Sequence, residues 1–147
     1  MRVLLRFALG AFIIGVLSPA VAAAQPLHML YMAQAGYQPT DILARARSFE
    51  AATGTPVELS FVEYEEQYRL ILESSKKPVS DYDIILLDLI WTAEFAEQGI
   101  IRTLPGELES EVVGGIAPEI YSAFEYEDSL WAMPFLGNFQ LMYTNTD

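Results

Sequence analysis

The chain has 147 residues, a formal charge of −12 at neutral pH and no cysteine. So acidic a surface disfavours nucleic acid and anionic membranes as partners. The lack of cysteine excludes thiolate nucleophiles, thiolate metal sites and stability resting on disulfides. An acidic balance can attract a cationic solute, and it also keeps a secreted chain soluble.

The first residues read as a targeting signal. Arg2 and Arg6 make a basic start, and Phe7 to Leu17 is uncharged and mostly apolar. That run falls well short of the roughly 20 residues a membrane-spanning helix needs. Ser18 and Pro19 break it, and Ala22-Ala23-Ala24 supplies the small residues a signal peptidase requires. The pattern predicts a secretory signal peptide over residues 1–24, cut before Gln25, and a mature chain exported to the periplasm without membrane insertion. No cysteine follows for lipid attachment, and the two arginines are not adjacent, which argues against a twin-arginine signal. What remains suits one domain of ordinary size.

The mature chain opens with "LHMLYM", Leu27 to Met32, an apolar run suited to a buried strand. Gly36 and Pro39 punctuate the loop that follows. Thr40 is placed as an N-cap, with Asp41 in the first helical turn, where the dipole favours an anion. Ile42, Ala46 and Phe49 share one face of that helix. Gly54 stops it as a left-handed cap and Pro56 prevents continuation. Val57, Leu59 and Phe61 alternate with Glu58 and Ser60, which predicts a second strand. A second helix is expected over Glu65 to Ser74, with Tyr68, Ile71 and Leu72 inward. "YDIILL" is the third strand, and its lack of alternation predicts burial on both faces, as in a parallel sheet. Trp91 to Gln98 makes the third helix; Gly99 ends it and Leu104-Pro105 closes the unit.

Beyond Pro105 the pattern loosens. "GELESEVVGG" is acidic and ends in glycine, and no element is assigned to it. Pro118 to Phe124 fits a short helix with proline in its first turn. "YEDSLWAMPF" reads as a turn at Glu127-Asp128-Ser129 entering an apolar strand, and "FQLMYTNTD" as a further strand after Gly137-Asn138. There is no internal repeat and no low-complexity segment.

The order strand, helix, strand, helix, strand, helix predicts an α/β fold with a largely parallel sheet flanked by helices. Open α/β sheets bind ligands beyond the carboxyl ends of their strands. Two segments land on that edge: the loop Ala33 to Tyr37 and the carboxylate of Asp88. Asp88 either caps the following helix or faces a ligand.

Three segments carry a family resemblance. They are "FEAATGTPVELSF", "DYDIILLDLIWTAEFAEQGIIRTL" and "YEDSLWAMPFLGNFQLMYTNTD". In order and spacing they resemble the solute-binding proteins of bacterial ABC importers, in particular the carbohydrate-type, maltose-binding-like group. The likeness spans nearly the whole mature chain, and its middle segment is the most specific. It implies a periplasmic-binding-protein-like lobe, with residues 25–140 forming the N-terminal lobe and residues 141–147 starting the crossover to a second lobe. Family members are two-lobed and much longer, so the resemblance also implies that this chain is an N-terminal fragment.

The resemblance further implies a monomeric periplasmic receptor that captures a small carbohydrate and delivers it to the permease subunits of an ABC transporter. Its motion would be closure of two lobes around the solute. The fragment alone, lacking one cleft wall, is expected to bind weakly or not at all.

Sugar recognition needs carboxylates or amides for the hydroxyls and aromatic rings for the C–H faces. On that chemistry the candidate ligand-binding residues are Asp88, Gln34, Gly36, Tyr37, Trp91, Asn138 and Gln140. Gly36 lets backbone approach a ligand closely. Trp91 either stacks on a sugar ring or packs in the core, and Trp131, Phe135 and Tyr143 read as core or hinge packing. His28, the lone histidine, reads as a packed strand residue. With one histidine, no cysteine and scattered acids, no metal site, cofactor site or catalytic constellation stands out, and no enzymatic activity is expected. Two other functions stay open: a receptor for a cationic solute such as a polyamine, motivated by the acidic balance, and a secreted carbohydrate-active enzyme, which would need a second carboxyl roughly 5 to 10 Å from Asp88.

Overall fold

The computed structural model describes residues 24–137 and 142–145. Three strands form one sheet: β1 (Leu27–Met32), β2 (Val57–Val62) and β3 (Ile84–Ile85). Their order is β2-β1-β3, and both pairings are parallel. Helix α1 (Pro39–Thr53) joins β1 to β2, and α2 (Tyr64–Ser75) joins β2 to β3. All three carboxyl ends therefore point the same way.

β1 and β2 occupy the residues their patterns predict. Along β2 exposure alternates, with Glu58 and Ser60 outward and Leu59 and Phe61 partly covered. Helix α1 starts earlier than the Thr40 cap implies. Pro39 takes the first turn, where its missing N–H costs nothing, and Gln38 is the N-cap without a side-chain bond. Asp41 sits in the first turn, and Gly54 caps the far end at φ 73°, its amide bonded to the Glu50 carbonyl.

The core lies on the face of the sheet that meets α2. It contains Leu30, Ile71, Trp91 and Phe95, with Tyr68, Leu72, Ile85 and Leu87 packed around it. Leu30 and Phe95 are fully buried, each contributing about 1.5–3 kcal/mol by transfer alone.

β3 is shorter and more open than a strand buried on both faces. Only Ile84 and Ile85 join the ladder, opposite Met29 and Leu30, and Ile84 stays 46% exposed. The physical reason is that β3 pairs on one side only: among the described residues its outer edge carries no strand.

After β3 comes a single 3-10 turn, Leu89–Trp91, and then α3 (Thr92–Glu97). Gly99, at φ 66°, ends that helix. "GELESEVVGG" is helical, as α4 (Gly106–Gly115). Its signal was a proline immediately before it and Val112, which is buried; the glycines at its ends concealed it. α5 (Pro118–Tyr121) follows, then a 3-10 turn over Ser122–Phe124. β4 (Glu125–Tyr126) and β5 (Ser129–Leu130) make a hairpin. Glu127 and Asp128 both take positive φ, 48° and 57°, the backbone of a two-residue turn whose twist matches its strands. The hairpin is anchored on α3 by the Tyr126 hydroxyl, which donates to Glu97, and on the preceding loop by the Leu104 amide, which donates to the Leu130 carbonyl at 2.9 Å.

His28 is not a packed residue. It is half-exposed, with Nε2 3.2 Å from Glu58 and Nδ1 3.9 Å from Asp83. Its place on the central strand at the amino edge leaves it between two acids, far from the carboxyl edge. Among the described residues no helix is long and apolar enough to cross a membrane. Residues 1–23, which hold all but the last residue of the expected signal peptide, lie outside the described residues.

Candidate functional site

The sheet geometry brings the two expected segments together. β1 is central and β3 is its neighbour, so the register Leu30 with Ile85 sets Met32 level with Leu87. The loop leaving β1 and the turn leaving β3 thus start side by side on one edge. Met32, Ala35 and Asp88 line a common groove of about 1120 Å³ that runs along the open side of β3. Residues 100–105 and the arm 131–136 contribute to its other walls. Four charged side chains line it, Asp83 and Asp88 against Lys77 and Arg102, so the groove is balanced although the chain is strongly acidic.

Asp88 does cap. Its Oδ1 accepts from the Ile90 amide at 3.3 Å, the bond expected of aspartate at the start of a helical turn. Its Oδ2 accepts from the Tyr64 hydroxyl at 3.2 Å. Tyr64 opens α2, so the first turn of one helix grips the carboxylate that starts the next. Desolvation first, and then the Asp88 carboxylate, raise the Tyr64 pKa above the usual phenol value. Asp88 itself is only half-buried. Leu89 and Ile90 beside it are 50% and 68% exposed, an apolar rim next to a held acceptor.

Tyr37 folds back rather than reaching out. Its hydroxyl donates to the Met32 carbonyl, closing the loop over the end of β1. Its ring meets Tyr31 and Phe135 edge-on at 5.9 and 6.0 Å. Burial, with Tyr31 as a lesser contribution, pushes its pKa up to about 12. Gly36 takes φ 85°, a left-handed conformation that lets the loop reverse. Gln34 is exposed on the same loop. Phe135, 45% exposed, covers this cluster only in part.

Trp91 takes the packing role. It is 6% exposed, with ring centroids 4.8 Å from Tyr64, 5.2 Å from Tyr68 and 5.7 Å from Phe95. One turn into the helical segment, it points at α2 and not at the groove. Trp131 is half-buried and donates from Nε1 to the Tyr126 carbonyl at 2.9 Å. Tyr143 is no packing residue: it is 87% exposed. Asn138 and Gln140 lie outside the described residues.

Two residues were missed by sequence reasoning. Tyr64 has just been described. Gln67, a turn further along α2, is fully buried, and its side-chain amide donates to the Leu86 carbonyl. The only trace in the sequence is an apolar-facing position, beside Tyr68 and Ile71, filled by an amide. Among the described residues no cluster of acids and histidines suits a metal ion.

Residues 31–147 match the family described as bacterial extracellular solute-binding protein. The chain belongs to that family. Among solved structures it is similar to the Thermus thermophilus maltotriose binding protein bound with maltotriose, with a TM-score of 0.58 and 20% sequence identity. The match covers 69% of this chain and 27% of that one, so the chain spans about a quarter of that protein's length. At this identity the likeness establishes a shared α/β fold. No curated protein sequence matches the chain.

Proposed function

We propose that this chain is the sheet-edge wall of a periplasmic receptor that captures a small neutral carbohydrate and passes it to the permease subunits of an ABC transporter. The observation that carries the reading is the placement of Asp88. Its carboxylate is held on both oxygens by protein donors, lines the groove beside Met32 and Ala35, and adjoins the exposed apolar pair Leu89 and Ile90. Fixed acceptors beside apolar surface suit a ligand with hydroxyl edges and C–H faces. Family membership, which carries solute binding, supports the transport role, and the resemblance to a maltotriose binding protein supports a carbohydrate. No reaction is required of the site, so the protein acts as a receptor and not as an enzyme.

The cationic-solute reading draws on the net charge of −12. Against it stands the groove lining, which holds two bases as well as two acids. Most of the other acids lie outside the groove, on the helices, on β2 at Glu58 and on the β4–β5 hairpin. The test is calorimetric titration of the complete gene product with neutral mono- and oligosaccharides and with spermidine. Micromolar or tighter binding of a neutral sugar supports the proposal; binding of spermidine alone overturns it.

A further inference from the structure

We propose that Tyr64 is a positioning residue that restricts Asp88 to ligands offering a pair of adjacent hydroxyls. The proposal deepens the reading of the Asp88 rim as the solute site and rests on it.

A carboxylate offers about four lone-pair positions, two on each oxygen. The Ile90 amide takes one on Oδ1 and the Tyr64 hydroxyl takes one on Oδ2. One acceptor position therefore stays open on each oxygen, in a common plane. Two hydroxyls on neighbouring ring carbons present two donors with matching separation and direction. The whole array accepts and offers nothing to a ligand carbonyl or phosphate.

An ammonium also donates, but the same geometry works against it. Two donors already draw on the Asp88 charge. The groove also holds the cations Lys77 and Arg102, which repel an ammonium, and the side chains next to Asp88 are the alkyl groups of Leu89 and Ile90, both half or more exposed. Those groups suit the C–H face of a sugar ring. Tyr64 is itself fixed: its ring packs 4.8 Å from Trp91, and Trp91 is buried among Tyr68 and Phe95. The hydroxyl is aimed by the core.

The experiment is a titration cycle on the complete gene product with Tyr64→Phe, Asp88→Asn and the double variant, using the best neutral sugar from the panel and spermidine as probes. Phenylalanine keeps the ring packing and removes only the hydroxyl. Tyr64→Phe should weaken the sugar about tenfold, the loss of one charge-assisted hydrogen bond, and should narrow the preference for sugar over spermidine. The double variant should bind no more weakly than Asp88→Asn alone, because Tyr64 acts through Asp88. Unchanged sugar affinity and unchanged preference in Tyr64→Phe overturn the proposal while leaving the carbohydrate reading standing. A wild type that binds no neutral sugar overturns both. A second measurement needs no variant. Against a series of monodeoxy analogues, wild type should lose about tenfold or more at two neighbouring hydroxyl positions; a flat series, or losses at non-adjacent positions, overturns the proposal.

Discussion

Gln67, buried on α2, donates from its side-chain amide to the carbonyl of Leu86, two residues before Asp88. With Tyr64 one turn earlier on the same helix, it ties the exit of β3 to α2 at two points. The short ladder of β3 leaves this exit strand-paired on one side only, so the side-chain bonds from α2 supply the remaining restraint. Gln67→Leu keeps the volume and leaves the part-buried Leu86 carbonyl without this donor, a loss of up to about 1–3 kcal/mol that is partly offset by removing the buried Gln67 Oε1, which has no partner among the described residues. Urea unfolding of wild type and variant checks the value, and an unchanged midpoint would show that Gln67 contributes no net stability.

Asp88 carries two separable roles. Asparagine retains a side-chain oxygen able to cap, whereas alanine retains none. Asp88→Asn should therefore leave the melting temperature nearly unchanged and weaken solute binding. Asp88→Ala should weaken binding and also cost about 0.5–2 kcal/mol of stability. Thermal melts and calorimetric titrations on both variants check the pair.

Phe95 is fully buried and stacks against Tyr68 at 5.7 Å. Phe95→Ala should cost about 3–5 kcal/mol, through lost burial and the cavity left behind. Chemical denaturation measures it. A loss below about 1 kcal/mol would mean that this cluster is not the main core.

The phenol of Tyr37 titrates well above the ordinary value, near 12, because it is partly buried beside Tyr31. The unfolded chain releases that proton near 10. The neutral form is thus favoured by the fold, and the contribution is fully present below pH 10. It is lost as pH rises through the interval from about 10 to 12. Denaturant midpoints should fall across that interval, and fall less steeply in Tyr37→Phe. A slope identical in the two proteins would contradict the assignment.

Much of this fold was legible in residue periodicity. "LHMLYM" and the alternation of Val57, Leu59 and Phe61 matched their strands because each run packs one face against a helix. Gly54 and Gly99 marked helix ends because both take left-handed backbone. The departures have physical causes. Pro39 outcompeted Thr40 for the first turn of α1. The apolar run at Tyr82 to Leu87 could not reveal that its outer edge lies open, since strand neighbours are set by the rest of the chain. The helix over Gly106–Gly115 hid behind its glycines. For the site, the position of Asp88 at a strand end was readable, and so were both its candidate roles. Tyr64 and Gln67 were not, because both contacts cross 19 or more residues of sequence. Trp91 was ambiguous until the aromatic cluster around it was placed.

The central claim is that the solute meets the carboxyl edge of the sheet at Asp88. Amide chemical-shift mapping of the complete gene product, titrated with the neutral sugar it binds best, tests this most directly. The largest shifts should fall on Ala33 to Tyr37 and on Asp88 to Ile90. Saturable binding whose shifts cluster instead at the amino edge, around His28, Glu58 and Asp83, would contradict it.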